Sequence, residues 1–467
     1  MSIHEKNRVN EYLTAGIEPL PQIQDHVYKF SSENLKDAKI TLDDVINFAR
    51  QEKLAELGHL GDLQKEKLGD ARVESSSGIV EFEKDGFTGK IRWWAFYPSL
   101  GGDKPPVIAM HGGPSFNHMY MLPLKLLAYP EFGGYPVIFY DQCGCGGSTS
   151  IAPSNSQNAT DYRKAIEQIE NVSGDKTDDL HVIPPHLFTI QYYVEEFLHL
   201  LHSWSTSKDY PICFQKGYYL YGSSWGTILA QEVAVHLREA MDRKVDGLIS
   251  EIGTLPKLMG LFLDGALSDA QVYCKSQWKY RISRMPSFTY HLLKELETMA
   301  EKGESGMTNP ELANSIKTSK IDWHTTKTYK KIESALSSMF TTRLQPPPDF
   351  WEECLAGANM EIYCKMQGAS EFTIGGCLKN WSIVNRLPIL SRNATFEELN
   401  VVKTPLPVLA LAGEFDTMTI ECHENVLESI GDINNELVVI PRAGHCKTVD
   451  EPLACCEAVL DFISKTT

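Results

Sequence analysis

The stretch from Tyr218 to Gly226, Tyr-Tyr-Leu-Tyr-Gly-Ser-Ser-Trp-Gly, constrains this chain more than any other. An apolar run enters it, and Thr227 to Ala234 leaves it with helical spacing. Gly222, Ser224 and Gly226 form a G-x-S-x-G pattern where a buried strand turns sharply into a helix. Such a turn strains the backbone of its middle residue and leaves room only for glycine on either side. The serine hydroxyl is thereby held above the sheet, with a helix N-terminus behind it. Ser223 sits at a variable position of the pattern, so Ser224 is the candidate nucleophile. Small residues cluster in many strand-to-helix turns, and an unassisted serine hydroxyl is a poor nucleophile. Partners must therefore come from elsewhere in the chain.

With 467 residues the chain exceeds one minimal domain, and a large domain carrying an insertion is expected. A hydrophobic content of 42% with 22% charged residues is that of an ordinary soluble protein. The formal charge of −17 argues against nucleic acid and anionic membranes as partners. No apolar run is long enough to span a bilayer, and the first residues lack the apolar core of a signal peptide. Eleven cysteines at irregular spacing read as reduced thiols of a cytoplasmic protein. Cys143 with Cys145, and Cys455 beside Cys456, lack the second pair or histidine cluster that a metal site needs, so neither metal nor cofactor is expected.

Residues 1–70 read as an N-terminal helical appendage, with Thr41 and Asp44 placed as a capping box. It can pack on the core, cover the site or mediate a homo-oligomer, and sequence does not choose. Strand patterning begins near Ser75, and Lys84-Asp85-Gly86 reads as the turn of a β-hairpin. Pro106–Met110 is a short apolar run, the mark of a buried parallel strand, and it ends in His111-Gly112-Gly113-Pro114. Tyr135–Tyr140 repeats that grammar and runs into Asp141-Gln142, where Asp141 and the glycines that follow shape a loop beside the site rather than do chemistry. Ile151 to Pro185 is a polar excursion, and Phe188 to Trp204 has helical spacing. Val245–Ser250 reads as the next strand after the nucleophile helix. From 255 to 395 helix-length segments rich in aromatics read as a cap inserted into the core, whose two parts are 71–254 and 396–467. Pro407–Ala412 and Glu436–Ile440 are the last strands, leading to Asp416 and to His445, before a closing helix.

Ser224, Asp416 and His445 thus follow in the order of an α/β-hydrolase triad, with acid and base each just beyond a strand. The fold class expected is α/β, with a mainly parallel sheet, the helical cap and the appendage. The amides of Gly113 and Trp225 are the candidate oxyanion donors, because a Gly-Gly loop lets backbone N–H groups approach a ligand closely.

These motifs, together with Asp141-Gln142-x-Gly-Cys145-Gly-x-Ser148, make residues 75 to 465 resemble the proline iminopeptidase family. Its members are α/β-hydrolase serine aminopeptidases that release an N-terminal residue, often proline. The cap segment Met366-Gln-Gly-Ala-Ser-Glu371-Phe372 extends the match, and the resemblance implies that Glu371 binds the free α-amino group of a small peptide or amine-bearing substrate. The chain departs from the pattern in its greater length and at several positions, Ser115 after His-Gly-Gly-Pro among them. Thr417 stands where many members carry a second amine-binding Glu, and Cys143 where an Arg is common. A second reading is therefore a hydrolase of a specialised ester, thioester or amide with the same triad. A third is a non-enzymatic receptor on this fold.

Overall fold

The computed structural model describes residues 73–466 except 85–86, 100–102, 149–188, 209, 244–253, 286–289, 292, 295–296, 298–326, 345–346, 369, 371, 394–399 and 432–433. The appendage, the Asp85-Gly86 turn, the polar excursion, the strand expected at Val245–Ser250 and Glu371 lie outside the described residues.

Two long antiparallel strands open the core, β1 (Val73–Lys84) and β2 (Phe87–Pro98). Strands β3 (Val107–Met110), β4 (Val137–Tyr140), β5 (Tyr218–Ser223), β6 (Leu258–Asp264), β7 (Val408–Gly413) and β8 (Asn435–Ile440) follow. All eight form one sheet in the order β1-β2-β4-β3-β5-β6-β7-β8. β2 runs against β4, and every pair from β4 to β8 is parallel.

Every residue of β3, β4, β5 and β7 is buried, which is why each reads as an unbroken apolar run. The pleat sends alternate residues into two cores. Ile138 and Tyr140 join a cluster with the helices α1 (Ile190–Thr206) and α2 (Trp225–Arg243), while Val137 and Phe139 join one on the other face. Thr189 caps α1, its hydroxyl accepting from the Tyr192 amide at 3.3 Å. Among the described residues, the helices between β6 and β7 include α3 (Ala270–Tyr280), α4 (Lys327–Leu336), α5 (Asp349–Ala356) and α6 (Met360–Met366). Helix α7 (Ile420–Ile430) then packs on the α1/α2 face and α8 (Pro452–Thr466) on the opposite one.

The expected start of the cap at 255 is corrected by β6. Leu258–Asp264 is a core strand paired with both β5 and β7, so the helical insertion begins only after Asp264. Pro256 masked this, because a short apolar run behind a proline has no periodicity that separates a buried strand from a buried helical segment.

Candidate active site

Parallel pairing brings the carboxyl ends of the central strands level, with Met110 opposite Gly222, Ser223 opposite Asp264, and Gly413 opposite Ile440. The loops that leave these ends therefore converge on one edge, where ligands bind in open α/β sheets. Ser224 follows β5 directly and has φ of 57°, a left-handed conformation that a side-chain-bearing residue adopts only under strain. Its amide donates to the Asp264 carbonyl at 2.8 Å, and its carbonyl accepts from Thr227 N at 2.8 Å, fixing the turn from both sides. A Cβ on Gly222 would lie 2.3 Å from the Gly226 carbonyl oxygen, and one on Gly226 would lie 2.0 Å from that of Met110. Ser223 is buried in the sheet, whereas Ser224 lines the cavity above it.

His445 lines the same cavity. Its Nδ1–H donates to Asp416 Oδ1 at 2.7 Å, and its backbone amide donates to the Phe340 carbonyl at 2.7 Å. Asp416 is fully buried just after β7, and its Oδ1 also accepts from Met418 N at 2.8 Å. Burial alone would raise the Asp416 carboxyl, but the Lys447 ammonium and then His445 override it and hold the carboxyl well below the usual range. Arg281, at the end of α3, donates from Nε to the Asp416 carbonyl at 2.8 Å, tying the cap to the acid-bearing loop.

The imidazole lies against Gly265, whose φ is 71°. A Cβ there would sit 2.7 Å from His445 Cε1. Gly265→Ala is therefore expected to displace the ring and lower kcat/KM on the order of 10²-fold. The left-handed backbone adds a stability loss of about 1–2 kcal/mol. Steady-state kinetics beside urea unfolding separates the two effects, and unchanged kcat/KM would show that the ring has room to adjust.

The glycine loop after β3 lies beside the nucleophile, since a Cβ on Gly112 would come within 2.9 Å of Ser224 Cβ. The Gly112 amide donates to the Tyr120 hydroxyl at 2.7 Å. Gly113, with φ of 119°, and Trp225, the first residue of α2, both line the cavity. Gln142 ties these two segments together: its Oε1 accepts from the Trp225 indole at 2.8 Å and its Nε2 donates to the His111 carbonyl at 3.1 Å. Burial lowers His111 to about 4, so its ring is neutral and its Nε2 accepts from Gln142 N at 3.0 Å. Asp141, expected to shape the loop, accepts from His118 Nδ1 at 2.8 Å and from Gly147 N at 2.7 Å.

The cavity has a volume of about 570 Å³, within the range of sites for small molecules. Its walls come from the loops at the sheet edge and from the inserted helices, including Tyr273, Gln277, Trp351 and Tyr363. Thr417 lines it too. Among the described residues, Glu333 on α4 is the one carboxylate on its wall, and it accepts from Lys330 at 2.7 Å. Sequence reasoning missed Asp264, Arg281, Gln142 and Lys447. Only Gln142, inside the Asp141-Gln142 motif, carried a local signal.

A parallel sheet with one reversed strand, a strained serine at the end of β5 and an Asp–His pair after β7 and β8 invite comparison with known proteins. Solved structures match across most of the chain. Proline iminopeptidase from Mycobacterium smegmatis aligns with a TM-score of 0.54 at 22% identity, covering 84% of this chain and 98% of that one. VinJ aligns with a TM-score of 0.55 at 20% identity, covering 84% and 99%.

The fold is that of an α/β-hydrolase.

Curated proteins match by sequence. The proline iminopeptidase of Thermoplasma volcanium is 24% identical over 365 residues, covering 78% of this chain and 90% of the relative. That of Heyndrickxia coagulans is 24% identical over 377 residues, covering 80% and 96%. The chain resembles the proline iminopeptidases over most of its length, and these relatives support a hydrolase. A comparison with protein-family profiles gives no match. Among the described residues, no helix is long and apolar enough to cross a membrane.

Proposed function

We propose that this protein is a serine hydrolase of the aminopeptidase type, releasing an N-terminal residue from a small peptide or aminoacyl amide. The observation that carries this reading is the hydrogen bond between the buried Asp416 and His445, which opens onto the cavity that Ser224 lines. With Asp416 held ionised, the ring nitrogen facing it must carry its hydrogen, which leaves Nε2 to accept a proton. Ser224 Oγ attacks the substrate carbonyl as its proton passes to His445. The carbonyl oxygen, now negative, is received by the amides of Gly113 and Trp225. The C–N bond breaks as His445 returns the proton to the leaving amine. Water, deprotonated by the same imidazole, then cleaves the acyl-serine and frees the acid.

The amine-recognising role of Glu371 rests on the resemblance. Truncating a carboxylate that pairs with a buried ammonium costs about 3–5 kcal/mol, so Glu371→Gln is expected to lower kcat/KM on free-amine substrates by on the order of 10²–10³-fold. Matched N-acetylated substrates lose far less. Thr417→Glu, at the cavity wall, is expected to sharpen discrimination in favour of free amines.

A second reading, a hydrolase of a specialised ester, thioester or amide, is favoured by the cavity wall itself. Thr417 and Met418 line it, and its described carboxylate is already paired with a lysine. Aminoacyl chromogenic amides, their N-acylated forms and simple esters, assayed side by side, separate the two. Turnover confined to free amines supports the first reading, and ester-only turnover the second. Equal losses on free and acylated substrates for Glu371→Gln would assign that residue a structural role.

A further inference from the structure

Lys447 lies two residues beyond His445, and its side chain is completely buried. Its Nζ is 2.6 Å from Asp416 Oδ2 and 2.8 Å from Asp264 Oδ1, and both of these carboxylates are also completely buried. It donates as well to the His445 carbonyl at 2.9 Å. The two oxygens of Asp416 are thus divided, Oδ1 receiving His445 Nδ1 and Oδ2 receiving Lys447. Asp264 closes a ring, because its backbone carbonyl accepts the amide of Ser224 at 2.8 Å. One ammonium between two carboxylates behind the Asp–His pair is more than core packing requires. A buried ion pair gives little net stability compared with well-packed apolar residues.

We infer that Lys447, held by Asp264, is a positioning residue for the reaction, fixing the Asp416 carboxylate toward His445 and setting the proton balance of the Asp416–His445 pair. This rests on the serine-hydrolase reading above. Lys447 stabilises the ionised acid and opposes a second positive charge on the imidazole, while Asp264 offsets part of that opposition.

Two neighbours titrate in the working range: burial raises Asp450, whose Oδ2 accepts from Gly444 N at 2.8 Å, to about 6, and raises Glu451 to about 7. The remaining groups do not. Burial lowers His423 and raises the Cys422 thiol to about 11. From the opposite side, burial raises the hydroxyls of Tyr120 and Tyr221 and the thiols of Cys446 and Cys455 well above their ordinary values. Arg281, lowered by burial to about 10, stays cationic and contacts Asp416 through its backbone carbonyl. Variants confined to Asp264 and Lys447 therefore read the charge balance of Asp264, Lys447, Asp416 and His445 by difference, with Arg281 as a fixed cation and Asp450 and Glu451 as a background common to every profile.

The test follows the pH dependence of Ser224 labelling by a fluorophosphonate on the full-length protein. The Oγ–P bond forms, fluoride leaves and the hydroxyl proton passes to His445, so the rate reads the Asp–His pair without a natural substrate. Asp264→Asn keeps the side-chain shape and leaves Lys447 facing Asp416 alone, so the acid limb of the profile is expected to move to lower pH. Lys447→Met leaves the two buried carboxylates without their ammonium, so the imidazolium is favoured and the limb is expected to move up by about one pH unit. Combining both changes brings it back toward wild type. Opposite shifts support the inference, and limbs that stay put or move together overturn it while labelling of wild type still upholds the serine-hydrolase reading. If Lys447→Met does not fold, the direction of the Asp264→Asn shift decides by itself. Wild type left unlabelled, indistinguishable from Ser224→Ala, would overturn the functional reading and this inference with it.

Discussion

Ser224→Ala is expected to remove nearly all turnover, a loss on the order of 10⁶-fold in kcat. The expectation follows from geometry as well as from motif. Ser224 holds the left-handed turn and faces the cavity, while its neighbour Ser223 ends β5 inside the sheet. Ser223→Ala is therefore expected to keep substantial activity, since its hydroxyl has no route to a substrate carbonyl. The pair of variants, assayed on one substrate with folding checked by circular dichroism, forms the control. Reversed effects would move the nucleophile to Ser223.

Asp416→Asn is expected to cost about 10⁴-fold in kcat. The Asp416 carboxylate receives three donors, His445 Nδ1, Met418 N and Lys447 Nζ. An amide brings one oxygen and two hydrogens of its own. It either turns its NH₂ toward His445, forcing the wrong tautomer, or turns it toward the Lys447 ammonium. Neither arrangement restores the native set. A loss below about tenfold would remove Asp416 from the mechanism. Glu414, the nearest other acid, is an unpromising substitute, because its carboxylate accepts from the Arg442 amide at 2.9 Å.

The readable parts of the sequence were those whose environment is uniform. β3, β4, β5 and β7 are buried on both faces, so their composition alone marks them. The Ser224 turn was legible because a steric demand writes itself as glycine on both sides. β6 was not, since Pro256 and the short apolar run Leu258–Leu263 fit either a strand or a cap helix. Losing β6 also hid Asp264, and with it any reason to look at Lys447. A lysine two residues past a loop histidine normally reads as solvated. Only tertiary structure shows that one helical turn, Lys447–Asp450, folds it beneath the acid. Arg281 was hidden for the same reason, as its partners are backbone carbonyls that no sequence pattern marks.

The order of the strands has a consequence for the chain during its own synthesis. Ser224 leaves the ribosome with β5, far ahead of Asp416 after β7 and His445 after β8. A domain is made N-terminal end first, so the nucleophile turn exists for a time with neither its acid nor its base. The Ser224 turn also leans on the Asp264 carbonyl, and Asp264 awaits Lys447. An incomplete chain therefore carries a serine with no base beside it. Its reactivity is withheld from neighbouring nascent polypeptides until the late pairings of the sheet are made.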